Sequence, residues 1–401
     1  MNTATAPQQS AAQAERARKK SLRKRLFAWH SWAGFQLALL TFIVMLSGTL
    51  AVVSNEIDWL LDRDRHVQPL QGEPRWQAML DSAKAFYPDA LIAGLQLGEL
   101  DVMAAEALVL TDDNRRIRVF IDPATGEVLG TGHWLNVQRI LRDFHRYLFI
   151  VLKGLGLPIV TIAAVVLAIQ LYTGLATTRK WLRGLITLPR RKNARVFIGD
   201  LHRFTALWTT WFTLLMVITS FWYLAEWILH SAGGRAAAPL LAVSAPKDGV
   251  ARELDSLEPH LSATRDAFPE LRISSISLPT PYSEQVIMIG PSTDWLLRPR
   301  ASRVTLDAHN AEVLAVQRPE DLTALQYVAD LADPWHFGDV GGLPTKLLWF
   351  ACGVILTGLS ATGVWLTWRR TRQNFGRWHI ATSVVMLVSG VFGYGYISFQ
   401  L

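Results

Sequence analysis

The sequence predicts a membrane α-helical bundle of five transmembrane helices, a duplicated two-helix unit plus one, carrying two small external α+β modules. Three observations carry this. Half of the 401 residues are apolar and only 18% are charged, below the roughly 25% of an ordinary soluble domain. Five stretches are long and apolar enough for a hydrocarbon core about 30 Å thick. The chain also repeats itself, helix, external segment, helix, twice over.

The apolar stretches run from Ser31 to Asn55, from Lys153 to Arg179, from Arg203 to Glu226, from Lys346 to Arg369, and from Ile380 to Leu401. Small residues punctuate them (Ser47-Gly48, Gly358, Gly363, Ser389-Gly390), as where helices pack closely in lipid. Taken with their flanks they give a basic tail at 1–25, spans at 26–55, 145–178, 202–230, 336–368 and 379–401, external segments at 56–144 and 231–335, and basic loops at 179–201 and 369–378. The first stretch is too long for a signal peptide and lacks a small-residue cleavage site, which predicts an uncleaved anchor.

Charge sets the orientation. The tail and the loops after spans two and four, counted with Arg203 at the edge of span three, hold 19 of the 40 basic residues and only 2 of the 33 acidic ones, Glu15 and Asp200. By the positive-inside rule these segments face the cytoplasm. The remainder holds 21 basic and 31 acidic residues, so the net charge of +7 records two opposed faces and not a nucleic-acid partner. One cysteine, Cys352, excludes a disulfide framework and any cysteine-based metal cluster; within span four it reads as packing.

The repeat extends to details. Trp29-His30 with Ser47-Gly48 seventeen residues on matches Leu201-His202 with Thr219-Ser220, and Phe144-His145 matches Trp335-His336. Ile117 to Gly130 reads as strand, turn and strand around Asp122-Pro123-Ala124-Thr125-Gly126, and Leu306 to Ala315 follows the same plan. A helix precedes each hairpin, at about 74–87 and 253–267.

Five of the ten histidines fall at the five span starts. His30, His202 and His379 lie at the cytoplasmic edge, His145 and His336 at the external edge. An imidazole tolerates an interface, which explains one such residue; five at duplicated positions in two opposing layers point to bis-imidazole ligation of haem. The repeat relates His145 to His336 and His30 to His202, with His379 the alternative inner ligand. Two b-type haems stacked in this way would span the membrane. Arg146, Lys153, Arg203 and Lys346 are placed to pair with haem propionates or to snorkel. Trp29, Trp32, Trp208, Trp211, Trp335, Trp349 and Trp378 are pocket walls or belt residues. Asp333 and Asp339 flank His336. His66, His133, His230, His260 and His309 read as surface or internally satisfied residues.

The Trp-His-Ser-Trp-Ala-Gly start of span one, Asp-Leu-His-Arg of span three, Phe-His-Arg of span two, Pro-Trp-His-Phe-Gly of span four and its Trp-Leu-Thr-Trp-Arg-Arg exit resemble PepSY-associated transmembrane helix proteins. The resemblance runs from about residue 20 onward. It implies PepSY-like periplasmic modules and a multi-pass protein of the bacterial inner membrane, N-terminus cytoplasmic and C-terminus periplasmic. Members similar to the ferrioxamine-type siderophore reductases carry haem and reduce ferric siderophore in the periplasm. By that resemblance His30, His202, His145 and His336 are the family's helix-start histidines, and the chain is a haem-dependent ferric-siderophore reductase releasing Fe(II).

No glycine-rich dinucleotide fingerprint follows any strand, so electrons are expected from a cytoplasmic reductase or from quinol. Two other functions compete. A siderophore or metal permease without redox chemistry is disfavoured by the near absence of ionisable residues in the spans. A periplasmic interaction or inhibitor module explains the external segments but not the two histidine layers.

Overall fold

The computed structural model describes residues 6–113, 115–150, 155–236, 253–291 and 293–371. The expected fifth span and His379 lie outside the described residues, as does Lys153. In chain order come α1 (Ala6–Gln36), α2 (Ala38–Val52), α3 (Ser54–Leu61), α4 (Trp76–Phe86), β1 (Leu91–Gln96), β2 (Ala105–Leu110), β3 (Arg116–Ile121), β4 (Val128–His133), α5 (Val137–Tyr147), α6 (Gly156–Thr177), α7 (Trp181–Ile186), α8 (Ala194–Trp208) and α9 (Thr210–Ser231). They are followed by α10 (Glu258–Ala267), β5 (Ser275–Ser277), β6 (Gln285–Gly290), β7 (Ser302–Asp307), β8 (Val313–Gln317), α11 (Ala324–Phe337) and α12 (Gly342–Thr371).

Two compact units divide this chain. Of the described residues, the helical unit takes 6–50, 144–150, 155–224 and 348–371; the sheet unit takes 51–113, 115–143, 225–236, 253–291 and 293–347. Among the described residues, α6, α9 and the stretch Asp339–Arg370 are each long and apolar enough to cross a membrane. Gln13–Gln36 and Ala38–Val52 meet that test together, but they are bent by 69°.

Near the bend a side chain ties α1 to α6: Gln170 of α6 donates its amide to the His30 carbonyl at 2.8 Å. A Cβ on Gly34 would lie 2.5 Å from Gln170 Nε2, so the glycine admits the side chain. The break falls at Leu37, seven residues after His30, and α8 and α9 break at Thr209, seven residues after His202. There Thr205, Thr209 and Thr213 each donate their hydroxyl to the carbonyl four residues back at 2.9 Å, a bond that bends helices. The histidines expected at span starts therefore sit on separate helices: His30 and His202 ahead of these breaks, His145 in the last turn of α5 and His336 in the last turn of α11. Alpha5 ends in left-handed Leu148 and Phe149, α11 in left-handed Gly338.

Small residues bring the helices of this unit together, as in other helix pairs within lipid. A Cβ on Gly353 of α12 would meet Thr49 Oγ1 at 2.6 Å. Leu40, Val44, Leu148, Val160 and Ala163 form one apolar core.

The sheet unit departs from the two separate modules expected. Its strands form one antiparallel sheet ordered β4-β3-β2-β1-β5-β6-β7-β8. Each half is a four-stranded meander preceded by a helix, and the halves join where β1 pairs antiparallel with β5, Leu95 opposite Ile276. Gly94 permits the joint, since a Cβ there would lie 2.9 Å from the Ile276 carbonyl oxygen. Alternation on β3 sends Ile117, Val119 and Ile121 to one face, where the Met79 and Leu80 side chains of α4 and Leu261 of α10 complete a single core with Val304 and Leu306 of β7. Gln77 of α4 accepts from the Leu257 backbone at 2.6 Å, tying the helices of the two halves. Buried Asp58 of α3 accepts from the Val137 and Gln138 backbone N–H groups, each at 2.9 Å, and so caps α5.

Candidate cofactor site: a histidine pair

The helical unit places His30 of α1 and His202 of α8 with ring centres 6.5 Å apart and ring planes at 88°. The environments are duplicated. His30 Nδ1 lies 3.0 Å from Thr173 Oγ1 on α6, and His202 Nδ1 lies 2.9 Å from Thr362 Oγ1 on α12. Each threonine is followed by a glycine facing the same ring. A Cβ on Gly174 would reach His30 Cε1 at 3.4 Å, and one on Gly363 would reach His202 Cε1 at 3.4 Å.

The threonines fix the tautomers. A hydroxyl has one proton to give. Thr173 gives its proton to the Ile169 carbonyl and Thr362 gives its own to the Gly358 carbonyl. Each therefore accepts from its histidine, so Nδ1 carries the ring proton and Nε2 carries the lone pair. Ligating histidines are commonly held by such a bond from the second ring nitrogen. His145 follows the rule with a backbone acceptor: its Nδ1 donates to the Val44 carbonyl at 3.0 Å, with Ser47 Oγ at 3.2 Å. Gly48 is obligatory there, because a Cβ would lie 2.6 Å from His145 Cε1.

The remaining residues singled out in the sequence fall elsewhere. His336, in the sheet unit, packs beside Phe337 at 5.7 Å. Arg203 meets Asp200 at 3.4 Å, and Arg146 lies over the Tyr147 ring at 5.1 Å. Lys346 is buried between Glu56 at 2.6 Å and Glu99 at 2.9 Å. Burial alone would raise the Glu99 carboxyl, but Lys346, Asn55 and Arg142 outweigh it and hold it below the ordinary range. Asp200 also binds Arg190 at 2.7 Å, and that hydrogen bond keeps its carboxyl low. It thereby fastens the basic 179–201 loop to the helix that carries His202.

The structure brings His30 and His202 together and sets them against Thr173-Gly174 and Thr362-Gly363, which sequence reasoning had not connected with them. The signal was present: the same dipeptide recurs near the end of the second helix of each repeat, shortly before Arg179-Lys180 and Arg369-Arg370. Among the described residues no group of three or more His, Cys, Asp or Glu has metal-site geometry. A two-histidine donor set suits a metal whose other ligands come with it.

No curated protein matches the chain. The family described as the PepSY-associated TM region matches residues 27–370, which include all the described strands and helices apart from the N-terminal part of α1 and the last residue of α12. The chain belongs to the PepSY-associated TM region family.

Proposed function

We propose that the chain is a membrane oxidoreductase that holds haem b between histidines and reduces Fe(III) in an external siderophore, releasing Fe(II). The observation that carries this reading is the His30–His202 pair, with both Nδ1 protons committed to duplicated threonines. Their ring centres lie 6.5 Å apart, near enough for the two imidazoles to hold one metal ion between them. Haem bound there supplies one-electron redox chemistry at a potential set by its axial ligands. Thr173 and Thr362 orient the rings, and Gly174 and Gly363 leave them room. His145, oriented by Val44 and Ser47, is the described half of the outer ligand set, with His336 its repeat counterpart.

The finer topology belongs to the same reading. It comprises five spans in the bacterial inner membrane, the N-terminus in the cytoplasm, and PepSY-like halves of the sheet in the periplasm. The Lys/Arg bias of the tail and loops supports it. Electrons enter from a cytoplasmic reductase or quinol.

A visible spectrum and haem:protein ratio of the purified protein test this. Expected are a reducible Soret band and two haems per chain, falling to one in His30→Ala, in His202→Ala and in His145→Ala. A protein without a Soret band overturns the reading. Ferrous iron trapped from a ferric siderophore, and lost in the same variants, is the functional counterpart.

A further inference from the structure

The segment between α6 and α8 does more than reverse the chain. It leaves α6 at Thr178, turns at left-handed Lys180 and winds into α7. Gly184 lets this short helix approach α8 closely, since a Cβ there would lie 2.5 Å from Leu207 Cδ1. Trp208 Nε1 donates to the Leu185 carbonyl at 2.9 Å, and Arg190 holds Asp200. Alpha7 is therefore fixed against the residues that lead directly into α9, a helix apolar enough to cross a membrane.

The outward side of α7 is apolar. At about 100° per residue, Trp181, Leu182 and Ile186 fall on one arc, and Gly184 lies away from it. All three are exposed, Ile186 at 80%, and exposed Leu188 follows them. Trp208 and Trp211, at the entry to α9, are exposed too, and tryptophan gathers where a span meets the headgroups. Around this patch stand Arg179, Lys180, Arg183, Arg191, Lys192 and Arg195, all exposed. Asp200 is the only acidic residue between Arg179 and Arg203, and Arg190 and Arg203 take it. The six exposed basic residues have no ion pair among the described residues.

We infer that this face docks on the anionic phospholipid surface of the bilayer. Trp181, Leu182 and Ile186 enter the boundary between headgroups and acyl chains, and the basic residues meet lipid phosphates. A helix with aromatic and aliphatic residues on one side and Lys/Arg at its margins binds a bilayer surface in this way, and basic clusters beside a span select anionic lipid. An acidic protein would answer the charges alone. The apolar arc, fixed at the mouth of a span, favours the bilayer.

The full chain tests this in nanodiscs of phosphatidylcholine, alone or mixed equally with phosphatidylglycerol. With Cys352→Ala removing the native thiol, Leu182→Cys carries an environment-sensitive fluorophore. Its emission should shift to the blue, lipids spin-labelled high on the acyl chain should quench it, and aqueous acrylamide should reach it poorly. Spin-labelled phosphatidylglycerol should associate with the protein severalfold more than spin-labelled phosphatidylcholine. Arg179→Gln, Lys180→Gln and Arg183→Gln together should weaken that preference severalfold and, at exposed positions, leave the unfolding midpoint unchanged. A fluorophore open to acrylamide in both nanodiscs, or an unaltered lipid preference in the triple variant, overturns the inference. So does a fluorophore open in nanodiscs yet shielded in native membrane vesicles, which would make a protein the occupant.

Discussion

Thr173 and Thr362 do a task that no apolar residue of the same shape can do. Valine in either place removes the oxygen that accepts the Nδ1 proton of His30 or His202 and leaves a buried donor unsatisfied. Loss of such an outer partner commonly costs 10–100-fold in metal affinity. If haem is held there as proposed, Thr173→Val and Thr362→Val lower its retention by about that factor, measured as haem per chain during dilution. Serine at either site should restore it. The histidines stood out in the sequence because five imidazoles at five expected span edges is a pattern. Their threonines were not, since a threonine in an apolar helix looks like packing until the residue across from it is known. The same limit hid Gln170, whose role appears only where its amide meets the His30 carbonyl.

At the scale of elements, the hairpins show what a turn signal can and cannot convey. Asp122 accepts from the Ala124 and Thr125 backbones, and Gly126 closes the turn at φ +82°. The second copy keeps the aspartate, Asp307, which accepts from His309 and Asn310. At the position matching Gly126, however, it has Ala311 at φ +55°. A Cβ in the left-handed region costs about 1–2 kcal/mol, partly offset by the greater unfolded-state freedom of glycine. Ala311→Gly should consequently stabilise the sheet unit by about 0.5–1 kcal/mol, read from the denaturation midpoint. Both hairpins and both helices ahead of them were legible because local residues specify them. The helix breaks at Leu37 and Thr209 were not. Hydropathy registers the length of an apolar run and is blind to where it bends.

For the molecule as a whole, the joining of the halves was the least legible feature. The β1–β5 joint rests on three facing residue pairs contributed by distant segments, and no local periodicity encodes it. It makes the two sheet-forming segments share one core, and beside that core sits a titratable group. His260 of α10 is buried, its Nε2 donating to the Asp307 carbonyl at 3.1 Å. Burial holds its pKa below the ordinary imidazole value. The folded state thus binds the proton less well than the unfolded chain, so stability is complete above about pH 6.5 and falls as pH drops below it. Denaturant unfolding of the sheet unit followed from pH 8 to 5 should show that decline, and His260→Gln should flatten it. An unchanged slope in the variant would assign the pH dependence to other groups.

The joint also sets a schedule for the growing chain. Beta1 is complete by residue 96, but β5 begins at Ser275, about 180 residues later. At synthesis rates of about 5–20 residues per second, the edge of β1 waits roughly 10–35 s for its partner. Throughout that interval a strand edge with unpaired backbone groups is open to pairing with another chain. The first half of the sheet is thus made early and finished late, and a chaperone that shields that edge during membrane insertion would protect the yield of folded protein.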